Sequence, residues 1–185
     1  MIDKAKHPPL PKAFKKLGVS QPVLKGLAEA GFEEPSEIQG LVITPALEGY
    51  DILGQARTGT GKTGAFGIPL LCDVVPGYAT QALILVPTRE LCVQVEGEMN
   101  RLGKHTPLRT AAVYGGERIT AQMKKLKHSP EIIVATPGRV MDLLQRGVLD
   151  FANIRMVVLD EVDRMLDIGF RDDIRDILAQ VNRGM

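Results

Sequence analysis

The 185-residue sequence has no tryptophan, and its total aromatic content is only 4%. This scarcity argues against a surface that recognises splayed bases by stacking them on aromatic side chains. There are only two cysteines and three histidines, and their positions do not have the spacing of a zinc site. No apolar run is long enough to span a bilayer, and no signal peptide is evident. We therefore expect a cytoplasmic protein in which Cys72 and Cys92 are buried, reduced thiols.

An excess of charge of either sign is also absent, because 23 Lys and Arg residues balance 22 Asp and Glu residues, for a net charge of +1. Any binding of nucleic acid must then come from local geometry and not from a polycationic surface. The hydrophobic content of 44% is that of an ordinary globular protein. The Lys- and Pro-rich residues 1–12 indicate a loosely held arm, and residues 13–185 indicate one domain.

Short apolar runs that predict strands alternate with patterns that predict helices through most of the chain. The predicted strands are residues 51–55, 82–86, 110–114, 132–135 and 156–159. The predicted helices are residues 20–30, 36–47, 64–71, 89–102, 119–126, 139–145 and 171–181. Continuous apolar strands separated by helices predict an α/β fold, with a mostly parallel sheet covered by helices on both faces.

Residues 56–63, Ala-Arg-Thr-Gly-Thr-Gly-Lys-Thr, stand between a predicted strand and a predicted helix, as a phosphate-binding loop requires. Glycines let backbone N–H groups converge on a phosphate, and the helix N-terminus adds the positive end of its dipole. Lys62 can reach the β- and γ-phosphates, and the hydroxyl of Thr63 can ligate Mg²⁺. One departure is Ala56, which stands where the general pattern has glycine.

A second candidate site follows the last predicted strand, which ends in Asp160-Glu161-Val162-Asp163. Ligands of parallel α/β sheets bind beyond the carboxyl ends of strands. Asp160 can hold Mg²⁺ through its water shell, and Glu161 can orient and deprotonate an attacking water. Taken alone, such an acidic cluster is more often a solvated turn or a helix N-terminus. Together with Lys62 it predicts an ATPase site.

These motifs, in this order, resemble those of the first RecA-like domain of a DEAD-box RNA helicase over nearly the whole chain. Residues 31–39, Gly-Phe-Glu-Glu-Pro-Ser-Glu-Ile-Gln, are similar to the Q motif of the family, which implies that Gln39 reads the adenine edge. Phe14 matches an upstream aromatic that stacks on the base, and a core-facing phenylalanine is the alternative. The implied nucleotide-binding loop residues are Ala56, Thr58, Gly59, Thr60, Gly61, Lys62 and Thr63. The family itself has alanine at the position of Ala56.

Three more segments at predicted strand ends resemble motifs of the family. Residues 87–91 resemble motif Ia, Gly115-Gly116 resembles the glycine doublet, and residues 136–139 resemble motif Ib. The RNA-binding residues implied are Pro87, Thr88, Arg89, Gly115, Gly116, Thr136, Pro137, Gly138 and Arg139. Backbone N–H groups, hydroxyls and guanidinium groups suit phosphates and do not read base edges. The resemblance therefore implies single-stranded or locally duplex RNA bound through its backbone. The alternative is that the two prolines merely end strands and start helices. The basic strip at 123–128 is interpreted as a solvated helix face.

Residues 160–163 resemble motif II, with Val162 where the family has alanine. We expect Val162 at a packed strand end, where overpacking costs ~1–3 kcal/mol. In the family, Asp163 couples the ATP state to motif III, a Ser-Ala-Thr strand. Neither motif III nor a second RecA-like domain with its arginine finger occurs before Met185. We therefore expect this chain to be a piece of a longer, monomeric protein. The piece would lack a central strand of the sheet and would be nearly inactive by itself.

The leading interpretation is the ATP- and RNA-binding N-terminal core of an ATP-dependent RNA helicase. Its cofactors would be ATP and Mg²⁺, and hydrolysis would drive local RNA unwinding or RNP remodelling. Two alternatives stay open at this point, a RecA-like motor that acts on DNA and a nucleotide-binding interaction module that does not hydrolyse. A P-loop kinase of small molecules would leave Gln39 and the three strand-end segments unexplained.

Overall fold

A computed structural model of the chain describes residues 8–57 and 59–181. The described residues form two compact units, the first from those up to residue 73 together with 101–107, and the second from 74–100 together with those from 108 onward. Residues 1–7 of the predicted arm at 1–12 lie outside the described residues. Thr58 and residues 182–185 lie outside them as well. The division into an arm and one domain therefore stays a prediction. In the described part of the chain, no helix combines the length and apolarity that a bilayer crossing needs.

The first unit contains helices α1 to α4, with bounds Lys12–Lys16, Gln21–Glu29, Glu37–Leu47 and Lys62–Asp73. The helices predicted at 20–30, 36–47 and 64–71 are therefore confirmed, and α4 is longer than expected. Ser20 and Ser36 are the N-cap residues of α2 and α3, in keeping with the preference of serine for this position. Helix α1 was not predicted, because five residues are too few to show a helical period.

The second unit carries a sheet whose strands β1 to β4 are Ala82–Leu85, Thr110–Val113, Ile132–Ala135 and Met156–Leu159. The strands are all parallel, in the spatial order β2-β3-β1-β4. Between and after them run α5 to α9, with bounds Arg89–Leu102, Ile119–Leu126, Pro137–Gln145, Val162–Ile168 and Arg171–Val181. The predicted α/β class with a parallel sheet is confirmed, and α8 is, after α1, a second helix that the pattern missed.

One face of the sheet packs against helices that follow β3 and β4. Leu83 and Ile133 from the strands share a core with Leu143 of α7, Met165 of α8 and Ile177 of α9. Strands β1 and β3 are buried at every position, whereas β4 is only half-buried along its length. Burial at every position, on both faces of the sheet, explains why these two strands have continuous apolar sequences.

The two edges of the sheet differ in how their backbone groups are satisfied. At the β2 edge, the N–H of Ala112 donates to a carboxylate oxygen of Glu96 on α5 at 2.9 Å. The Cys92 thiol of the same helix lies 3.9 Å from the carbonyl of Val113. At the other edge, β4 pairs with β1 alone among the described residues. Side chains of α5 therefore cover one edge, as proteins commonly protect edge strands.

The strand predicted at residues 51–55 is wrong. This segment has no strand partner in the described sheet, and Ile52 and Leu53 are 42% and 101% exposed. A strand is stabilised by hydrogen bonds to a neighbour, which an apolar run by itself does not supply. The sheet order gives β4 one neighbour and leaves this segment without any.

The two thiols differ in burial. Cys92 is fully buried as predicted, whereas Cys72 is only partly buried, and both are free of disulfides. Burial raises the pKa of Cys92 to about 12, and the charge of Glu96 adds to this. Burial also raises the pKa of Cys72, although the N–H of Ser20, 3.4 Å from its sulfur, acts in the opposite direction. Both thiols are therefore protonated and unreactive near neutral pH.

A close helix contact in the first unit depends on Gly26 of α2. A Cβ atom at this position would lie 1.9 Å from the carbonyl oxygen of Leu102, at the end of α5. This distance is far shorter than any contact between a carbon and an oxygen atom. Only glycine lets the two backbones approach so closely.

We predict that Gly26→Ala lowers the free energy of unfolding by about 3 kcal/mol, because backbone atoms must move apart. Gly97→Ala on α5 is the matched control, since its Cβ atom would meet nothing within 4 Å. Alanine in a helix should stabilise the control variant by about 0.5–1 kcal/mol. Urea unfolding followed by circular dichroism measures both, and equal stabilities of the two variants would contradict the prediction.

Candidate nucleotide and nucleic-acid sites

A cavity of ≈ 600 Å³ in the first unit brings the predicted Q motif together with the phosphate loop. Its lining residues are Ser36, Glu37, Ile38, Leu41, Gln55, Ala56, Arg57, Gly59 and Thr60. The volume is in the range of ~300–1,000 Å³ that is typical of small-molecule sites. Leu41, which is 66% exposed, gives the cavity an apolar wall beside the glycine-rich loop. Such an arrangement can hold a planar base and a phosphate chain at once.

The phosphate loop has the backbone conformation that an anion-binding turn needs. Gly59 and Gly61 have φ angles of 82° and 92°, which L side chains rarely adopt. Helix α4 begins directly after them at Lys62, so Thr63 and the loop lie at its positive end. The Thr60 hydroxyl donates to the carbonyl of Arg57 at 2.7 Å and tightens the turn. Thr58, which the sequence also predicts to bind nucleotide, lies outside the described residues.

Gln39 links helix α3 to the phosphate loop. Its side-chain carbonyl accepts from the N–H of Ser36 at 3.0 Å, and its Nε2 donates to the carbonyl of Gly61 at 3.0 Å. The side chain is only 3% exposed. In this structure the amide therefore faces protein groups, while its predicted reading of adenine stays a prediction. Cβ atoms at Gly61 and Gly64 would lie 2.5 Å and 2.7 Å from Nε2, so both glycines make room for this amide.

Phe14 lies in the core of the first unit. It is fully buried, and its ring meets Phe32 edge to face with centroids 6.1 Å apart. Edge-to-face pairs of this kind stabilise cores beyond their buried area. This position matches the core-facing alternative for Phe14. Stacking on an adenine base would require the ring to leave the core, and that role stays a prediction.

The acidic site forms at the C-terminal end of β4 in the second unit. The N–H of Asp160 donates to the carbonyl of Leu85 at 3.0 Å and extends the ladder by one residue. Glu161 then adopts a left-handed conformation, with φ 52° and ψ 48°, as the N-cap of α8. A non-glycine residue in this region costs about 1–3 kcal/mol, and such strain is concentrated at functional sites. Thr80 and Ser129 also have positive φ angles, so this conformation agrees with a functional turn, and the motif remains the signal that points to Glu161.

The predicted crowding at Val162 is wrong. Val162 is the first residue of α8, and it is 38% exposed. The strand ends before it at Leu159, so its two additional methyl groups reach the surface and do not compress a packed strand end. Asp163 lies in the first turn of the same helix, where a carboxylate interacts favourably with the helix dipole.

The predicted RNA segments lie in a row at the carboxyl ends of the parallel strands. Pro87–Arg89 follows β1, Gly115–Gly116 follows β2 and Thr136–Arg139 follows β3. Because the order is β2-β3-β1-β4 and all strands are parallel, the glycine doublet, motif Ib, motif Ia and the acidic turn succeed one another in space. Their order along the chain is different, so the topology alone creates this arrangement.

Within this row, several groups face solvent and others stabilise the backbone. Gly115 and Gly116 are exposed, and Gly116 has a φ angle of 83°. The Thr88 hydroxyl accepts from the N–H of Leu91 at 3.2 Å and so caps α5. Thr136 precedes α7, and Pro137 is the first helical residue, where a missing N–H has no cost. The exposed Gly138 lies in the first turn of α7.

The two arginines of these segments have different surroundings. Arg89 is exposed, and its guanidinium lies 5.1 Å from the ring centroid of Tyr114. The side chain of Arg139 is only 11% exposed. It donates to the Gln122 side-chain carbonyl at 2.8 Å and to the backbone carbonyl of Glu117 at 3.3 and 3.4 Å. Little of Arg139 is therefore available for a direct phosphate contact, and its RNA-binding role stays a prediction.

Sequence reasoning missed Glu117 and Gln122, since a single glutamine within an amphipathic helix matches no motif. The basic strip at 123–128 was interpreted as solvated, and Lys124, Lys127 and His128 are indeed exposed. Lys125 is different, because its ammonium lies 3.8 Å from the Glu117 carboxylate and 5.9 Å from the Tyr114 ring centroid.

Comparison with known proteins identifies the family. A sequence profile of the DEAD/DEAH box helicases matches residues 36–184, and the chain belongs to that family. It is 47% identical over 169 residues to the DEAD-box ATP-dependent RNA helicase CshA of Geobacillus kaustophilus, covering 91% of this chain and 36% of that protein. It is 44% identical over 175 residues to the DEAD-box ATP-dependent RNA helicase RhpA of Helicobacter pylori, covering 95% of this chain and 35% of that protein.

Solved structures show the same fold. A DEAD box protein from Methanococcus jannaschii superposes with a TM-score of 0.89 at 42% identity, covering 93% of this chain and 47% of that one. A hypothetical ATP-dependent RNA helicase from Sulfolobus tokodaii gives a TM-score of 0.83 at 37% identity, covering 88% and 47%. These similarities confirm the predicted RecA-like fold. The chain spans about a third of the length of the curated relatives CshA and RhpA.

We predict that Gln39→Ala lowers the free energy of unfolding by about 1–3 kcal/mol, because the N–H of Ser36 and the carbonyl of Gly61 lose their partner. The loosened loop should also weaken binding of ADP and GDP. Thermal unfolding and calorimetric titration measure the two effects. Gln94→Ala on the exposed face of α5 is the control. Unchanged stability in Gln39→Ala would show that these two hydrogen bonds do not hold the loop.

Proposed function

We propose that this chain is the ATP- and RNA-binding N-terminal core of an ATP-dependent RNA helicase. In the whole protein, ATP hydrolysis would be coupled to local RNA unwinding or RNP remodelling. The observation that carries the proposal is the row of strand ends in the second unit. Three segments suited to a phosphate backbone stand beside an acidic turn suited to nucleotide hydrolysis. No comparable observation favours DNA as the substrate or a module without hydrolysis.

The residues present fit a magnesium nucleotide. In the first unit, Gly59 and Gly61 have positive φ angles next to the start of α4, and turns of this kind can present backbone N–H groups to an anion. Lys62 would contact the distal phosphates, and Thr63 and Asp160 would hold Mg²⁺ largely through water. The metal, when bound, neutralises charge that develops on the phosphates. Glu161 would orient the attacking water and accept its proton.

The proposed partners are RNA and a second RecA-like domain. Arg89, Thr88 and the exposed glycines would bind single-stranded or locally duplex RNA through its phosphates, without reading its sequence. A second RecA-like domain of the whole protein would complete the RNA and nucleotide sites, with Asp163 coupling the two. We also propose a monomeric protein of the cytoplasm. Its two free thiols, of which Cys92 is fully buried, support a reducing compartment.

We predict that Lys62→Ala weakens ATP binding about 10- to 100-fold and leaves AMP binding nearly unchanged, since a charge-assisted hydrogen bond to the distal phosphates is lost. Lys127→Ala on the solvated end of α6 is the matched control. Isothermal titration of both variants with the two nucleotides, and with GTP to measure preference for adenine, gives the result. Equal losses for ATP and AMP would place Lys62 away from the distal phosphates.

RNA binding should be weak, indifferent to sequence and sensitive to salt. Phosphate contacts at three segments predict a slope of about −2 to −3 when the logarithm of affinity is plotted against that of salt concentration. Fluorescence anisotropy with poly-U and a mixed-sequence RNA measures it, with a DNA strand alongside. Arg89→Ala should reduce the slope by about 0.7, whereas Arg175→Ala on α9 should not. Affinity that does not change with salt would overturn the proposal.

A further inference from the structure

Gln122 is a buried glutamine whose side-chain amide forms hydrogen bonds through both its nitrogen and its oxygen. It lies on α6 with no exposed surface. Its Nε2 donates to the backbone carbonyl of Tyr114 at 2.8 Å and to the carboxylate of Glu117 at 2.9 Å. Its side-chain carbonyl accepts from the guanidinium of Arg139 at 2.8 Å. Both amide hydrogens and the oxygen therefore have protein partners, as a buried amide requires.

The partners of Gln122 belong to separate segments of the proposed RNA surface. Tyr114 directly precedes the Gly115–Gly116 turn after β2, and Arg139 ends the Thr136–Arg139 segment after β3. The ring of Tyr114 also supports the guanidinium of Arg89, in the segment after β1. Gln122 thus contacts the Thr136–Arg139 segment directly and the two residues that flank the glycine doublet, Tyr114 and Glu117. It reaches the third segment through the ring of Tyr114.

Only an amide suits the charges around this position. Arg139 approaches from one side as a donor, and Glu117 from the other as an acceptor. An amide presents an oxygen to the first and an N–H to the second. A carboxylate would face Glu117 with a like charge, and a thioether would remove the hydrogen bonds to Tyr114, Glu117 and Arg139 together.

We propose that Gln122 is a positioning residue for RNA binding, which holds the glycine turn and the start of α7 at the spacing that a phosphate backbone needs. The inference rests on the proposed function, because it concerns the same strand-end surface. Arg139 then acts mainly as the partner of Gln122 and Glu117. This accounts for a guanidinium that is 11% exposed within a segment suited to phosphates.

The first test is Gln122→Met, which keeps the length of the side chain and removes every hydrogen bond. We expect the affinity for single-stranded RNA to fall about tenfold, because the fraction of molecules with both segments in place falls. Amide hydrogen exchange should accelerate together at Gly115–Gly116 and at Gly138. The affinity for ADP should stay within about twofold of wild type, because the variant is not expected to change the fraction of molecules that are competent to bind nucleotide. Gln94→Met, on the exposed face of α5, should change none of these quantities.

The second test exchanges the two partners. Gln122→Glu alone should weaken RNA binding at least as much as Gln122→Met, since two carboxylates would face each other. Adding Glu117→Gln removes the like-charge contact and keeps an acceptor for Arg139, but a carboxylate at position 122 still has no hydrogen to donate to the carbonyl of Tyr114. RNA affinity should then rise above that of Gln122→Glu and stay below that of wild type. Equal affinities of the single and double variants would contradict the positioning role, and this comparison also serves if Gln122→Met is too unstable to measure.

The outcomes separate the inference from the proposed function. RNA affinity within about twofold of wild type in Gln122→Met, or unchanged amide exchange, would overturn the positioning role. A parallel loss of ADP affinity would overturn it as well, because the effect would then be general to the fold. Failure of the wild-type chain to bind RNA would overturn the proposed function itself. Amide exchange would still show whether Gln122 holds the two segments together.

Discussion

The pairing of β1 with β3 on one side and β4 on the other is the constraint on which the second unit depends. Because both pairings are parallel, Leu85 lies opposite Ala135 and Leu159, and the three strands end at the same level. The residues that follow them therefore emerge along one edge of the sheet. This geometry makes a single surface from segments that are far apart in the chain, and it is the reason that ligands of such sheets bind at the carboxyl ends of strands.

Two buried glutamines hold loops of the candidate sites in place. Gln39 joins helix α3 to the phosphate loop in the first unit, and Gln122 joins helix α6 to two strand-end segments in the second. In both cases an amide donates to a backbone carbonyl next to glycines, where the chain has least stiffness of its own. A buried amide with satisfied donors and acceptors holds such a loop more specifically than apolar packing does, because its hydrogen bonds have direction.

The binding loops also contain departures from regular structure. Glu161 has a left-handed backbone, and Gly59, Gly61 and Gly116 have positive φ angles. Each of these conformations costs stability or chain entropy that the fully buried β1 and β3 help to offset. Thr80 and Ser129 have positive φ angles outside these loops, so the conformation alone does not identify a binding loop. At Glu161 it coincides with an acidic motif at a strand end, where function can justify such a cost.

The sequence by itself determined the local elements and the chemistry of the motifs. The bounds of β3, β4 and α5 agree with those predicted, because hydrophobic periodicity depends on residues only a few positions apart. Only the tertiary structure decided which apolar run finds a strand partner, which aromatic ring is buried and where a guanidinium points. Residues 51–55 remain unpaired, Phe14 faces the core, and Arg139 turns inward to a residue 17 positions away. Each of these outcomes depends on a partner distant in the chain, which a local pattern does not specify.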